Sequence, residues 1–173
     1  ATFKYLFSDM GRIGNSRGAS SVAFDLGVLY KCGINDWEGA GWSVGLHVSN
    51  LGPKINYLTS KDALPATVKV GGAADLPFLQ MHKLTLTADL GYRLSPADVQ
   101  ALSVSAGAEY AWRELVMLRG GYHCGDKKKG DASYATAGAG VEYAGVRLDF
   151  AWLFAGHEYL ARNTFWVSLG YSF

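Results

Sequence analysis

The stretch N-T-F-W-V-S-L-G-Y-S-F, residues 163–173, decides how the rest of the chain is read. On an extended backbone Phe165, Val167, Leu169, Tyr171 and Phe173 fall on one side, and Thr164, Trp166, Ser168, Gly170 and Ser172 on the other. Alternation of period two marks a strand with one apolar face. Taken alone, such a strand suits the wall of a soluble sandwich and the wall of a membrane barrel equally. The choice turns on whether other strands repeat the pattern and on what their second faces carry.

Nine further segments repeat it. In residues 1–7, Phe3, Tyr5 and Phe7 oppose Thr2 and Lys4. Next, Val22, Phe24, Leu26, Val28 and Tyr30 oppose Ala23, Asp25, Gly27 and Lys31. In residues 42–49, Trp42, Val44, Leu46 and Val48 oppose Ser43, Gly45, His47 and Ser49. Val68, Val70, Gly72 and Ala74 then alternate with Lys69, Gly71, Ala73 and Asp75. The same pattern sets Leu84, Leu86, Ala88, Leu90 and Tyr92 against Thr85, Thr87, Asp89, Gly91 and Arg93. Leu102, Val104, Ala106, Ala108 and Tyr110 face away from Ser103, Ser105, Gly107 and Glu109. Val116, Leu118, Gly120 and Tyr122 face away from Met117, Arg119, Gly121 and His123. Ala135 to Tyr143 and Val146 to Phe154 complete the set, with Thr136, Gly138, Gly140 and Glu142, then Arg147, Asp149, Ala151 and Leu153, on the second face. No helical period competes for more than a few residues. The chain is predicted to be all-β, with about ten strands.

A sandwich exposes a second face rich in Lys, Glu, Thr and Gln. Here that face carries mostly Gly and Ser with isolated charges of both signs, which suits a concave interior where side chains converge and charges pair. Tyr30, Trp42, Tyr92, Tyr110, Trp112, Tyr122, Tyr143 and Tyr171 lie near strand ends, where a bilayer interface favours amphipathic rings. These features predict an antiparallel transmembrane β-barrel over residues 1–173, in contact with lipid. Arg119, Glu109, Glu142, Arg147 and Asp149 form the expected polar network of its lumen, with Arg147 paired to Glu142 or Asp149. Enclosed charges are costly unless paired.

Composition agrees. Gly is 22 of 173, about twice the usual share, yet 49% of residues are hydrophobic, which excludes a disordered glycine-rich chain. No apolar run approaches the ~20 residues of a spanning helix. The mean hydropathy of +0.05 is the average of two alternating faces. A net charge of +1 gives no reason to expect nucleic acid as a partner. The chain begins at Ala1 without Met or a signal-like segment, so a removed signal peptide or a longer parent chain is expected.

Connections alternate in length. Those at 112–114 and 144–145 are very short, and 32–41 and 77–82 lie at the same end. Residues 8–19, 50–66, 94–100, 125–133 and 156–163 form the opposite end. Short periplasmic turns and longer outer loops are usual in outer-membrane barrels. This order puts Cys32 and Cys124 at opposite ends of strands of ~9–11 residues, too far apart for the ~7 Å Cα separation of a disulfide. Both are expected to be free.

The closing strand, through Leu169, Tyr171 and the terminal Phe173, resembles the C-terminal assembly signal of bacterial outer-membrane barrels. A longer resemblance runs through G-W-S-V-G-L-H-V-S-N-L-G-P-K-I-N-Y (41–57), L-P-A-T-V-K-V-G-G-A (64–73), S-A-G-A-E-Y (105–110), L-R-G-G-Y (118–122), A-T-A-G-A-G-V-E-Y (135–143), V-R-L-D-F-A-W-L (146–153) and residues 163–173. In this order the motifs resemble PorV and its relative PorQ, outer-membrane proteins of type IX secretion in Bacteroidota within the FadL-like barrel superfamily. The resemblance implies a fourteen-stranded barrel, of which about ten strands would be the C-terminal part. It also implies a non-enzymatic role: receiving exported proteins through their C-terminal domains and passing them from the translocon to the surface sortase components. The expected partner surface is the outer loop Asn50, Leu51, Gly52, Pro53, Lys54, Ile55, Asn56 and Tyr57. The alternative within the superfamily is a FadL-like channel for hydrophobic small molecules.

Other chemistry is not signalled. His47 and His123 share the polar face with serines and carboxylates. However, the sequence holds no H-E-x-x-H and no close Asp/His/Ser grouping. Mutual pairing of these side chains is expected, and no catalytic residue is assigned. The cysteines and histidines lack ligand spacing, so neither metal nor cofactor is expected. The G-R-I-G-N-S-R-G loop (11–18) lacks the Lys-Ser/Thr ending of a phosphate loop, and K-K-K (127–129) reads as a solvated outer loop.

Overall fold

The computed structural model describes residues 1–8, 19–56, 61–156 and 163–172. Its strands are β1 (Thr2–Ser8), β2 (Ala19–Gly33), β3 (Gly41–Leu51), β4 (Ile55–Asn56), β5 (Lys61–Asp62), β6 (Thr67–Phe78), β7 (His82–Arg93), β8 (Leu102–Trp112), β9 (Val116–Cys124), β10 (Tyr134–Tyr143), β11 (Val146–Ala155) and β12 (Thr164–Tyr171). Two short 3-10 turns, Ala97–Val99 and Lys127–Lys129, are the only helical pieces among the described residues. The expected ten long strands are all present and form one sheet in the order β1-β2-β3-β6-β7-β8-β9-β10-β11-β12. β4 and β5 pair separately, as a small ladder within the 50–66 loop.

Every neighbour in the large sheet is antiparallel, from Thr2↔Asp25 in β1–β2 to Leu148↔Leu169 in β11–β12. β1 and β12 are its two edges and do not pair with each other. The sheet is an open meander whose order and alternation fit a barrel wall. β2 shows the stagger such a wall requires: its first half pairs with β1 and its second half with β3. The changeover falls at Asp25, where the β2–β3 register shifts between Phe24 and Leu26.

Turns at one end are tight because the chain reverses through left-handed residues, whose twist matches the flanking strands. Ala144 and Gly145 have φ of 50° and 79°, Leu79 and Gln80 50° and 57°, and Arg113 and Glu114 52° and 57°. The longer 33–41 connection at this end is folded on itself, with Ile34 N donating to Ala40 O at 3.0 Å. It is also tied across the end, where Trp37 Nε1 donates to the Pro77 carbonyl at 2.8 Å.

There is no conventional core. Buried apolar side chains are few and mostly small (Ala19, Ala23, Ala40, Leu64, Ala101, Ala111, Met117), and among the described residues no large side chain is fully buried. The apolar face of the sheet is exposed instead, from Phe3, Tyr5 and Phe7 on β1 to Phe165, Val167, Leu169 and Tyr171 on β12. Neighbouring rings on that face touch, as Tyr30 and Trp42 do at 5.6 Å between centroids. The charges lie on the other face, where they find one another.

Candidate functional site

Among the described residues the polar face holds a Lys83–Asp75–Thr85 pairing and three larger clusters. The largest spans β8 to β11. Arg119 Nε donates to Glu109 Oε2 on the paired residue of β8. Arg119 Nη1 donates to Asp149 Oδ1 on β11 at 2.6 Å, over the top of β10. Arg147 Nε then donates to Asp149 Oδ2 at 2.7 Å, and its Nη1 lies 3.5 Å from Glu142 Oε2 on β10. The structure thus brings together all five residues expected to form the polar network, with Arg147 reaching both of its expected carboxylates. The arrangement locks the register of four strands and leaves no group poised for chemistry.

The second cluster anchors the 50–66 loop. Asp25 Oδ2 accepts from Lys4 Nζ at 2.6 Å, and Asp25 Oδ1 accepts from the Asn50 backbone N–H at 2.8 Å. Lys4 also donates to Asn50 Oδ1 at 3.1 Å, and Asn50 Nδ2 to the Pro65 carbonyl at 3.2 Å. Asn50 has φ 56°, a conformation asparagine tolerates better than most residues. It therefore turns the chain one residue before β3 ends and closes the base of the loop at once. Leu51 still pairs with Phe24, while Gly52, Pro53 and Lys54 are exposed. The Pro53 carbonyl accepts from Ser21 Oγ at 3.1 Å, and Ile55 and Asn56 form β4. Lys54 lines a cavity of about 540 Å³ with Lys61, Asp62, Leu94, Pro96 and Asp98. Tyr57 lies outside the described residues, as do the 11–18 loop and Phe173. Leu169 and Tyr171 are described, opposite Leu148 and Val146, on the exposed apolar face.

The third cluster was not legible in the sequence. Ser105 on β8 and His123 on β9 are cross-strand partners, with Ser105 Oγ 3.0 Å from His123 Nδ1. His123 Nε2 lies 3.0 Å from Asp131 Oδ1, which comes from the connection between β9 and β10. The absence of a close Asp/His/Ser grouping along the sequence is corrected here by folding. The Ser105–His123 half follows from strand alternation, but Asp131 sits in a loop whose path no periodicity reveals. The loop is built by its own bonds: Asp126 Oδ1 accepts from Lys128 N–H, Gly130 has φ 76°, and Asp131 N–H returns to the Asp126 carbonyl. Beside the cluster is a cavity of about 400 Å³ lined by His47, Lys69, Arg93, Ser103, His123 and Tyr134 among others.

Cys32 and Cys124 are free thiols near opposite ends of the sheet. No group of three or more metal-ligating side chains occurs among the described residues.

Residues 1–100, from β1 to just beyond the first 3-10 turn, match the family model of the type IX secretion system protein PorV. The chain belongs to the PorV family. The match covers more than half of the chain, including the Lys4–Asp25–Asn50 anchor and the exposed Gly52, Pro53 and Lys54. The PorV-family assignment makes it a component of type IX secretion. The Arg119 network and the Ser105 cluster lie beyond the matched residues. No curated protein matches the chain.

Proposed function

We propose that this PorV-family chain is a bacterial outer-membrane barrel that receives exported proteins at its long-loop end. It then passes them from the translocon to the surface sortase components. The observation that carries the membrane reading is the apolar face, exposed on strands from β1 to β12 with no large side chain fully buried beneath it among the described residues. In water a patch of that extent drives association, whereas in hydrocarbon it is the stable outer surface. The polar face then lines the lumen. In lipid the edge N–H and C=O groups of β1 and β12 also need partners, so the membrane form pairs both edges.

The loop from Asn50 to Tyr57 is the proposed contact for the C-terminal domains of cargo. Its base is rigid, held by Asp25, Lys4 and Pro65, while Gly52, Pro53 and Lys54 are presented to solvent. Carrying cargo by binding calls for no cofactor and no bond made or broken on this chain. A channel for hydrophobic molecules is less well supported. The concavity at mid-sheet sets His47, Lys69 and Asp89 among Leu29, Ala73 and Ala88, so charged groups interrupt its apolar lining.

The test is affinity purification of the tagged protein from outer membranes of a cell that carries the secretion system. Translocon subunits or cargo bearing the C-terminal domain should co-purify, and Lys54→Glu with Ile55→Asp should lower cargo recovery severalfold. Recovery of neither class of partner by the unaltered protein rejects the carrier role.

A further inference from the structure

We infer that Ser105 is an activated nucleophile for acyl transfer from small carboxylic esters. The inference rests on the direction of the relay. An ionised Asp131 carboxylate can only accept a hydrogen bond, so His123 carries its proton on Nε2. In the neutral imidazole His123 Nδ1 is then the lone-pair nitrogen, and Ser105 Oγ–H, 3.0 Å away, donates to it. A serine hydroxyl, an imidazole base and a carboxylate that sets the tautomer stand in sequence, which is the arrangement of roles that activates serine on unrelated folds.

Two features hold the imidazole in place. Tyr134 stacks on the His123 ring at 4.8 Å and 24°. Gly125 leaves room for Asp131: a Cβ there would lie 2.5 Å from the Asp131 carboxyl carbon and 2.5 Å from its carbonyl oxygen. Ser103 provides the contrast. It sits on the same strand face two positions earlier, yet its hydroxyl donates to the Gly91 carbonyl at 3.4 Å and meets no imidazole. The neighbouring cavity of about 400 Å³ is lined by the two residues that orient the hydroxyl, His123 and Asp131, together with Lys69, Arg93 and Ser103.

The step balances as acyl transfer. Ser105 Oγ bonds to the ester carbonyl carbon while its proton passes to His123 Nδ1. The C–O bond to the leaving alcohol breaks, and the alcohol takes that proton. Water then attacks the acyl-serine with His123 again as base, releasing the carboxylic acid and restoring Ser105. The relay uses no residue of the 50–57 loop proposed to bind cargo and does not depend on that role.

A fluorophosphonate probe on the intact protein in detergent, read by peptide mass spectrometry, tests the nucleophile. Phosphonylation should fall on Ser105, vanish in Ser105→Ala and persist in Ser103→Ala. His123→Gln should slow it by about 10²–10⁴-fold. Asp131→Asn and Gly125→Ala should each lower the maximal labelling rate at least tenfold, with the half-saturating probe concentration unchanged. Gel mobility of unheated samples reports whether each variant keeps its fold. Labelling of the folded protein no faster than Ser105→Ala, or labelling that resides on Ser103, overturns the inference. p-Nitrophenyl acetate should be hydrolysed by the parent protein and not by Ser105→Ala. Equal rates in the two overturn the acyl-transfer step.

Discussion

Arg119 and Asp149 form an ion pair at 2.6 Å across a strand that belongs to neither of them. Arg119 is on β9 and Asp149 on β11, and β10 runs between. The crossing is possible because β10 carries glycine at the two positions beneath it, Gly138 paired with Arg119 and Gly140 paired with Asp149. A Cβ on Gly140 would lie 2.5 Å from Asp149 Oδ1 and 3.2 Å from Arg119 Nη1. Gly140→Val should therefore break the pair and destabilise the folded sheet by about 1–3 kcal/mol, the range for hydrogen bonds to charged groups. Gly120 meets nothing within 4 Å, so Gly120→Ala should stay within about 0.5 kcal/mol of the parent. Urea unfolding in detergent measures both. A Gly140→Val protein as stable as Gly120→Ala would show that the crossing pair contributes nothing.

The two faces should respond oppositely to charge. Leu148, Phe150 and Val167 are 50%, 40% and 62% exposed on the apolar face. Arg at any of them should oppose insertion by about 2–4 kcal/mol if the site lies at the bilayer midplane. Ser168, opposite Asp149 on the polar face, should accept Arg with a much smaller loss. Folding yield into lipid vesicles reads the difference, and equal yields at Val167 and Ser168 would remove the lipid-facing assignment.

Asn50 should control the 50–66 loop. Asn50→Ala removes the acceptor for Lys4 and the donor to Pro65, and leaves a residue with a Cβ at φ 56°. Together these cost about 1–3 kcal/mol. Asn50→Gly restores the backbone freedom but not the side-chain bonds, so it should fall between the two. Limited proteolysis within residues 52–66 should quicken in the order parent, Gly, Ala. An unchanged cleavage rate in Asn50→Ala would mean that the loop is held by other contacts.

The thiols report orientation. Cys124 ends β9 on the long-loop side, and Cys32 lies near the short-turn end of β2. A membrane-impermeant maleimide added to intact cells should modify Cys124, and should reach Cys32 only after the outer membrane is permeabilised. The reverse pattern would turn the barrel over and move the proposed cargo loop to the periplasm.

The sequence by itself determined the ten long strands, their faces and their tight turns. Period-two alternation is a local property, and Ala144-Gly145 needs no distant partner to turn the chain. Strand ends were less legible. β2 extends to Ala19 because β1 pairs with its first half, and that pairing depends on how far neighbouring strands are staggered. For the same reason Glu109, Arg119, Glu142, Arg147 and Asp149 could be placed on one face from alternation alone. That Arg119 bridges β9 to β11 over two glycines is a matter of register between strands. The Ser105–His123–Asp131 relay lies furthest from the sequence. It joins two strands to a loop carboxylate, and only the folded path of residues 125–131 carries Asp131 back over the end of β9. Backbone alternation sets which way a strand side chain points. Hydrogen bonds between segments set what it meets.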